Sequence, residues 1–174
     1  MSKYQVQPSG REAFFDASEI IVSKTDMKGR IEYANDVFLS IAGYTEEECL
    51  GEPHSMIRHP KMPRAVFKLL WETIERKEEI FAYVVNMTKN GDHYWVFAHV
   101  TPSLDDNGNV IGFHSNRRVP GREAVAKVEK LYADLVATEQ KHTNAKDGLQ
   151  ASYDQLISFV NDNGGKYEEL IFNI

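Results

Sequence analysis

The hydrophobic pattern changes period several times along the chain. Ile20, Ile21 and Val22 are a β-branched run inside residues 19–25 and predict a strand. Asp26-Met27-Lys28-Gly29 reads as a turn, and residues 30–34 as a second short strand that completes a hairpin. Helical spacing follows. Asn35 is a candidate N-cap ahead of Val37, Phe38 and Ile41, and Gly43 ends that helix. Thr45-Glu46-Glu47-Glu48 has the capping-box form and opens another short helix that Gly51 closes. Pro53, Pro60 and Pro63 forbid one long helix across residues 53–63. Residues 64–77 then carry a single apolar stripe of Val66, Leu69, Leu70, Thr73 and Ile74.

Beyond residue 79 the period becomes two. Residues 80–89 and 92–102 predict long strands joined by Asn90-Gly91, a strong hairpin signal, and residues 110–119 predict a third strand after the turn at 105–108. The order predicts an α+β domain: a five-stranded antiparallel sheet with short helices on one face. Pro120-Gly121 marks its end. From Arg122 the pattern is helical again. Val128, Leu131 and Leu135 keep heptad spacing, but Thr138, His142 and Ala145 follow, so the seam is too short for a long coiled coil. Tyr153, Leu156, Ile157 and Val160 form a further amphipathic stretch, stopped by Asn163-Gly164-Gly165 and followed by an apolar tail, 167–174. The expected organisation is a leader over 1–18 with short helical potential at 11–17, a domain over 19–119, and a helical extension over 120–174.

Charge and composition narrow the function. Twenty Lys and Arg against 26 Asp and Glu give a net charge of −6, which argues against a nucleic-acid binder. The single cysteine, Cys49, excludes a disulfide framework and fits a reducing, cytoplasmic setting. No run approaches the ~18 apolar residues of a membrane span, so no direct membrane insertion is expected. A nucleophile elbow and a phosphate-cradling glycine loop are both missing, and Cys49 at a helix start reads as structural, so the chain is not expected to be an enzyme. His54 and His59 are five apart with no carboxylate between them, which disfavours a protein-only zinc site. A single axial haem histidine leaves no spacing signature, so haem stays open.

One segment stands out. Residues 53–71 hold Arg58, Lys61, Arg64, Lys68, His54 and His59, no acidic residue, and the aromatics Phe67 and Trp71. That mixture suits a ligand with an anionic part and a planar ring; the plainer reading is a solvated basic face. On the strand 92–102 one parity is Tyr94, Val96, Ala98 and Val100, leaving room for a ligand. The other is Trp95, Phe97, His99 and Thr101, which needs a helix or partner over it. Asn86 interrupts the apolar set Ile80, Ala82 and Val84, as a ligand's hydrogen-bonding edge would require.

Several blocks resemble the PAS sensor domain of the bacterial aerotaxis receptor family: Asn35-Asp36-Val37-Phe38, Ala42-Gly43-Tyr44-Thr45, Gly51-Glu52-Pro53-His54, Met56-Ile57-Arg58-His59-Pro60, Met62-Pro63, Trp71, and Lys89-Asn90-Gly91-Asp92-His93-Tyr94-Trp95-Val96. The resemblance covers about residues 19–118 and implies a PAS fold. It further implies non-covalent FAD in a redox or energy-taxis sensor, with Arg58, His59, Trp71, Asn86 and Tyr94 touching the cofactor and His54 and Asn35 supporting the site. Lys61 stands where that family commonly has aspartate, and Glu79-Ile80-Phe81 where it has tryptophan. The chain looks most like the separate PAS subunit of a bipartite energy-taxis system. Its implied partner is a methyl-accepting-type transducer or another signalling protein, with a homodimer also open. The alternatives are a haem b-binding oxygen sensor of the same fold and a cofactor-free PAS interaction module.

Overall fold

The computed structural model describes residues 6–174. Five strands form one antiparallel sheet: β1 (Ile21–Thr25), β2 (Ile31–Ala34), β3 (Ile80–Met87), β4 (His93–Leu104) and β5 (Val110–Arg118), in the order β2-β1-β5-β4-β3. Thus β5 is central and β3 is an edge. Between β2 and β3 lie α1 (Asp36–Ala42), α2 (Glu46–Cys49), a single 3-10 turn (His54–Ile57) and α3 (Arg64–Glu75). The expected five-stranded α+β architecture and the order of elements along the chain are what the structure has.

The short helices start where their caps put them. Asn35 Oδ1 accepts from the amides of Phe38 and Val22, and Nδ2 donates to the Ile20 carbonyl, so one side chain both caps α1 and ties it to the start of β1. Thr45 and Glu48 form the reciprocal capping box on α2. Alternation along β3 and β4 fixes which face is which. The pairs Asn86–Tyr94, Val84–Val96, Ala82–Ala98 and Ile80–Val100 share the face under α3, and Val85–Trp95 and Tyr83–Phe97 share the other.

Two regions differ from the sequence expectation. Residues 11–17 are not helical. Backbone from Ser9 to Ala13 runs along the Gly91–His93 corner: Ser9 donates to the Gly91 carbonyl, His93 to that of Arg11, and Ala13 to that of His93. Asp92 holds Ser9 and Arg11 by their side chains. An unpaired hairpin corner wins over weak local helical propensity. Second, the extension is a three-helix cap: α4 (Arg122–Gln140), α5 (Ala145–Asp162) and α6 (Tyr167–Asn173). Helix α5 starts eight residues before Tyr153, the first residue of its expected stripe. Asn144 caps it, and Gly148 lets the two helices close up, since a Cβ there would sit 2.6 Å from the Glu139 carbonyl.

This cap covers the outer sheet face. Trp95 packs near Tyr132 of α4, with ring centroids 6.1 Å apart, and Phe172 of α6 lies against Phe81 and Phe97. The Tyr132 hydroxyl donates to the Tyr83 carbonyl on edge strand β3 at 2.6 Å. The other end of α4 reaches α3, where Glu139 accepts from Arg64 Nε at 2.9 Å and from the Ala65 amide at 3.2 Å. Pro63 precedes α3 and offers it no side-chain cap, so α4 supplies one from 74 residues away. Core and cap share one hydrophobic cluster.

Candidate functional site

Between α3 and the inner sheet face lies a cavity of about 290 Å³. Its apolar wall is Phe67, Leu70, Trp71 and Ile74 from α3, Val84 from β3, Ala98 and Val100 from β4, and Phe113 from β5. Ser23 and Thr25 of β1, His54, Arg58, Asn86, Ser115 and Arg117 supply polar groups. Lys28, Pro53 and Ser55 are exposed and frame its opening, between the β1–β2 turn and the 3-10 turn. Trp71 stands edge-on to Phe113, 5.4 Å between centroids, with its indole under Gly29. A Cβ on Gly29 would come within 3.3 Å of that indole, and its φ of +74° already favours glycine.

Among the described residues, no Asp or Glu lines this cavity. Its electrostatics are those of buried cations and neutral donors. The Arg117 side chain leaves the inner face of β5, donates from Nη2 to Ser23 Oγ at 2.8 Å and to His54 Nε2 at 2.7 Å, and is only 4% exposed. Because a guanidinium can only donate, His54 Nε2 is the acceptor and its ring proton sits on Nδ1. Burial, then the charges of Arg117 and Arg58, push the His54 pKa down to about 3. The Arg58 guanidinium lies 3.9 Å over the Phe67 ring, and its backbone bridges that of Asn86. Arg58 Nε, Asn86 Nδ2, Ser115 Oγ and Arg117 Nη1 are all buried without a hydrogen-bond partner. Four such atoms in one cavity's lining mark a place built for a ligand's acceptors, because a buried donor with no partner is destabilising.

Of the residues singled out from sequence, His54, Arg58, Trp71 and Asn86 line the cavity. Tyr94 is fully buried beneath them, its hydroxyl without a partner, and burial raises its pKa while Arg117 and Asn86 pull the other way. His59 is placed elsewhere. It lies in a shallower hollow beside Val136 and Glu139 of α4, its Nδ1 accepts from the Lys61 amide, and burial, then His93 and Lys61, push it down to about 4. Asn35 spends all its hydrogen bonds on backbone, so it supports β1 and α1 rather than facing the cavity. The basic run 53–71 does not converge as a patch. Lys61 pairs with Glu129, Arg64 with Glu139 and Lys68 with Glu72, leaving Arg58 and His54 to the cavity. Sequence reasoning missed Arg117 and Ser115. Their signal was present: with Phe113 they occupy one parity of β5, two polar side chains on the face that β3 and β4 make apolar.

Cys49 is buried, and burial, then Glu48, raises its thiol to about 11, so it is an inert core group. No helix among the described residues is long and apolar enough to cross a membrane.

Comparison with known proteins agrees with this geometry. The chain is 43% identical over 117 residues to the aerotaxis receptor of Escherichia coli K12, a match covering 67% of this chain and 23% of that one. It is 31% identical over 80 residues to rice phototropin-1A, covering 46% and 9%. The chain therefore spans less than a quarter of the length of these relatives. Among solved structures, a light-oxygen-voltage domain studied with a flavin analogue aligns with a TM-score of 0.56 at 21% identity, covering 64% of this chain and 83% of that one. The PAS domain of a Colwellia psychrerythraea protein aligns at 0.54 and 20%, covering 58% and 86%. The model of the PAS fold matches residues 31–117, from the second strand to the buried arginine of the fifth. With a sheet of this order, a helix-roofed cavity on its inner face and half the chain matched by that model, this protein belongs to the PAS family and is a PAS sensor domain related to the aerotaxis receptor.

Proposed function

We propose that this chain is a redox sensor of the energy-taxis type that binds FAD non-covalently and signals through a separate transducer protein. The observation that carries the reading is the cavity itself: apolar and aromatic walls, no carboxylate, and four buried donors awaiting acceptors. A fused planar ring with a hydrogen-bonding edge and a negatively charged chain fits that donor set. The cavity is large enough for such a ring and too small for a whole dinucleotide, so the rest of the cofactor would have to pass out by the Lys28–Ser55 opening. Asn86 and Ser115 would meet the ring's polar edge, Trp71 and Phe67 its flat surfaces, and Arg58 an anionic group. His54 would hold Arg117 beside Ser23, Tyr94 faces Asn86 across the paired strands, Asn35 ties α1 to the start of β1, and His59 fixes the turn that follows Arg58. A bound flavin supplies a visible chromophore and reversible acceptance of electrons. The 43% identity to an aerotaxis receptor supports the taxis role, and the flavin-analogue neighbour supports the cofactor class. Haem fits this cavity less well, because the one imidazole lining it has its Nε2 lone pair engaged by Arg117.

The test is the visible spectrum of the purified protein, with flavin release on denaturation, repeated on Arg58→Ala. The wild type is expected to carry flavin absorbance. Arg58→Ala is expected to fold with the same far-ultraviolet circular dichroism and to bind FAD at least tenfold more weakly. A wild-type protein that takes up no added FAD, or an Arg58→Ala that binds it unchanged, overturns this reading.

A further inference from the structure

Arg117 stands on the central strand of the sheet and is held differently from the ion-paired arginines of this chain. Arg11, Arg64, Arg76 and Arg122 each meet a carboxylate, at 3.2, 2.9, 2.9 and 2.6 Å. Arg117, far more buried than any of them, meets two neutral groups, Ser23 and His54, and keeps Nη1 without a partner. Its guanidinium carbon lies 5.7 Å from the Phe38 ring centroid, a weak substitute for an anion. Burial lowers its pKa to about 10, which leaves it charged at neutral pH. A lone buried cation is among the more destabilising things a core can hold, and an apolar side chain of similar volume would be better tolerated.

We propose, resting on the flavin reading above, that Arg117 is the charge-selecting residue of the cavity, holding an uncompensated positive charge for the negative charge that a bound flavin ring takes on when it is reduced. The balance is simple. A flavin that accepts two electrons and one proton gains one net negative charge, as does one that accepts one electron and no proton. No carboxylic acid among the described residues lines the cavity to deliver a further proton, and His54, neutral and hydrogen-bonded as an acceptor, cannot. The charge on the ring is therefore met by Arg117 rather than removed by protonation. Arg58, at the junction with the α4 side and close enough to Glu139 to feel its charge, is already partly compensated and suits a group whose charge does not change. Electrons in the test come from dithionite, which is oxidised to bisulfite.

Two variants decide the matter, Arg117→Met and Arg117→Lys, each stripped of cofactor and titrated separately with oxidised and with dithionite-reduced FAD. Arg117→Met is expected to lose affinity for reduced FAD at least tenfold more than for oxidised FAD. That ratio lowers the midpoint potential by about 30 mV for a two-electron couple or about 59 mV for a one-electron couple. Arg117→Lys, which keeps the charge, is expected to stay within threefold of the wild-type ratio. Ligand-free Arg117→Met is expected to unfold at the same or higher urea concentration than ligand-free wild type, an outcome a merely structural arginine would not give. Equal loss of both forms, including loss of all measurable binding, makes Arg117 an ordinary contact and overturns the inference, as does an unchanged ratio. Failure of the wild type to bind FAD in either form removes the flavin reading and this inference together, so the two failures are told apart.

Discussion

Single residues in this fold answer to the low dielectric around them. His54 and His59 both have pKa values pushed well below the ordinary 6.5, to about 3 and about 4, chiefly by burial. A histidine with a depressed folded value binds fewer protons folded than unfolded, so stability is full above about pH 6.5 and declines as pH falls toward the folded value. At pH 5 each ring is expected to lower stability by about 1–2 kcal/mol. Urea unfolding at pH 7.5 and pH 5 reads the sum, and His54→Gln is expected to remove about half of the difference; a pH-independent midpoint contradicts it. The same chemistry explains how much of the site the sequence disclosed. Asn86 was legible because an amide breaks a run of Ile, Ala and Val on one strand parity. Arg117 is harder to read, because Asn116-Arg117-Arg118 looks like a polar strand end; its parity with Phe113 and Ser115 is the one sequence signal, and its pairing with Ile21 and Ala98 places it inside.

At the scale of elements, the strands and the capped helices were readable because local chemistry and tertiary packing agree: Asn90-Gly91 sets one hairpin, and Asn35 and Thr45 start α1 and α2. Elements held by distant partners were not. The leader is extended only because Gly91 and His93 offer it backbone partners, and the start of α5 is set by a cap and a glycine rather than by its stripe. Helix α3 depends on such a partner as well. Its first turn has no side-chain cap of its own, and the Glu139 carboxylate, whose side chain is 9% exposed, takes both the Ala65 amide and the Arg64 guanidinium. Tyr153 of α5 adds a hydrogen bond to Glu72 of α3 at 2.6 Å. Glu139→Ala is therefore expected to cost about 2 kcal/mol, the sum of a lost cap and a half-buried ion pair. Because α3 carries Phe67 and Trp71, the same change is expected to weaken ligand binding severalfold. A double-mutant cycle with Arg64→Ala measures the coupling, and additive effects would show that the cap alone matters.

For the whole molecule, sensor domain and extension form one folded body. The sequence required something over Trp95 and Phe97, and the occupant is the chain's own extension. Leu135 and Leu156 are fully buried, and Phe172, although 59% exposed, lies across Phe81 and Phe97. Ending the chain after Val119 strips that cover and removes Glu139 from α3. The shortened protein is expected to be less soluble or to self-associate, and to unfold at lower urea concentration; size-exclusion chromatography and urea unfolding check it, and a monodisperse fragment of full stability would contradict it. The Tyr132 hydrogen bond to Tyr83 has its own consequence. Ile80–Met87 is eight residues long, uncharged, proline-free and rich in β-formers, and it lies at the rim of the sheet. Such a segment is a template on which other chains can stack into cross-β aggregates. During synthesis it emerges dozens of residues before Tyr132 does, so for that interval nothing from α4 can shield it, and the newborn chain is at its most vulnerable to amyloid-like association.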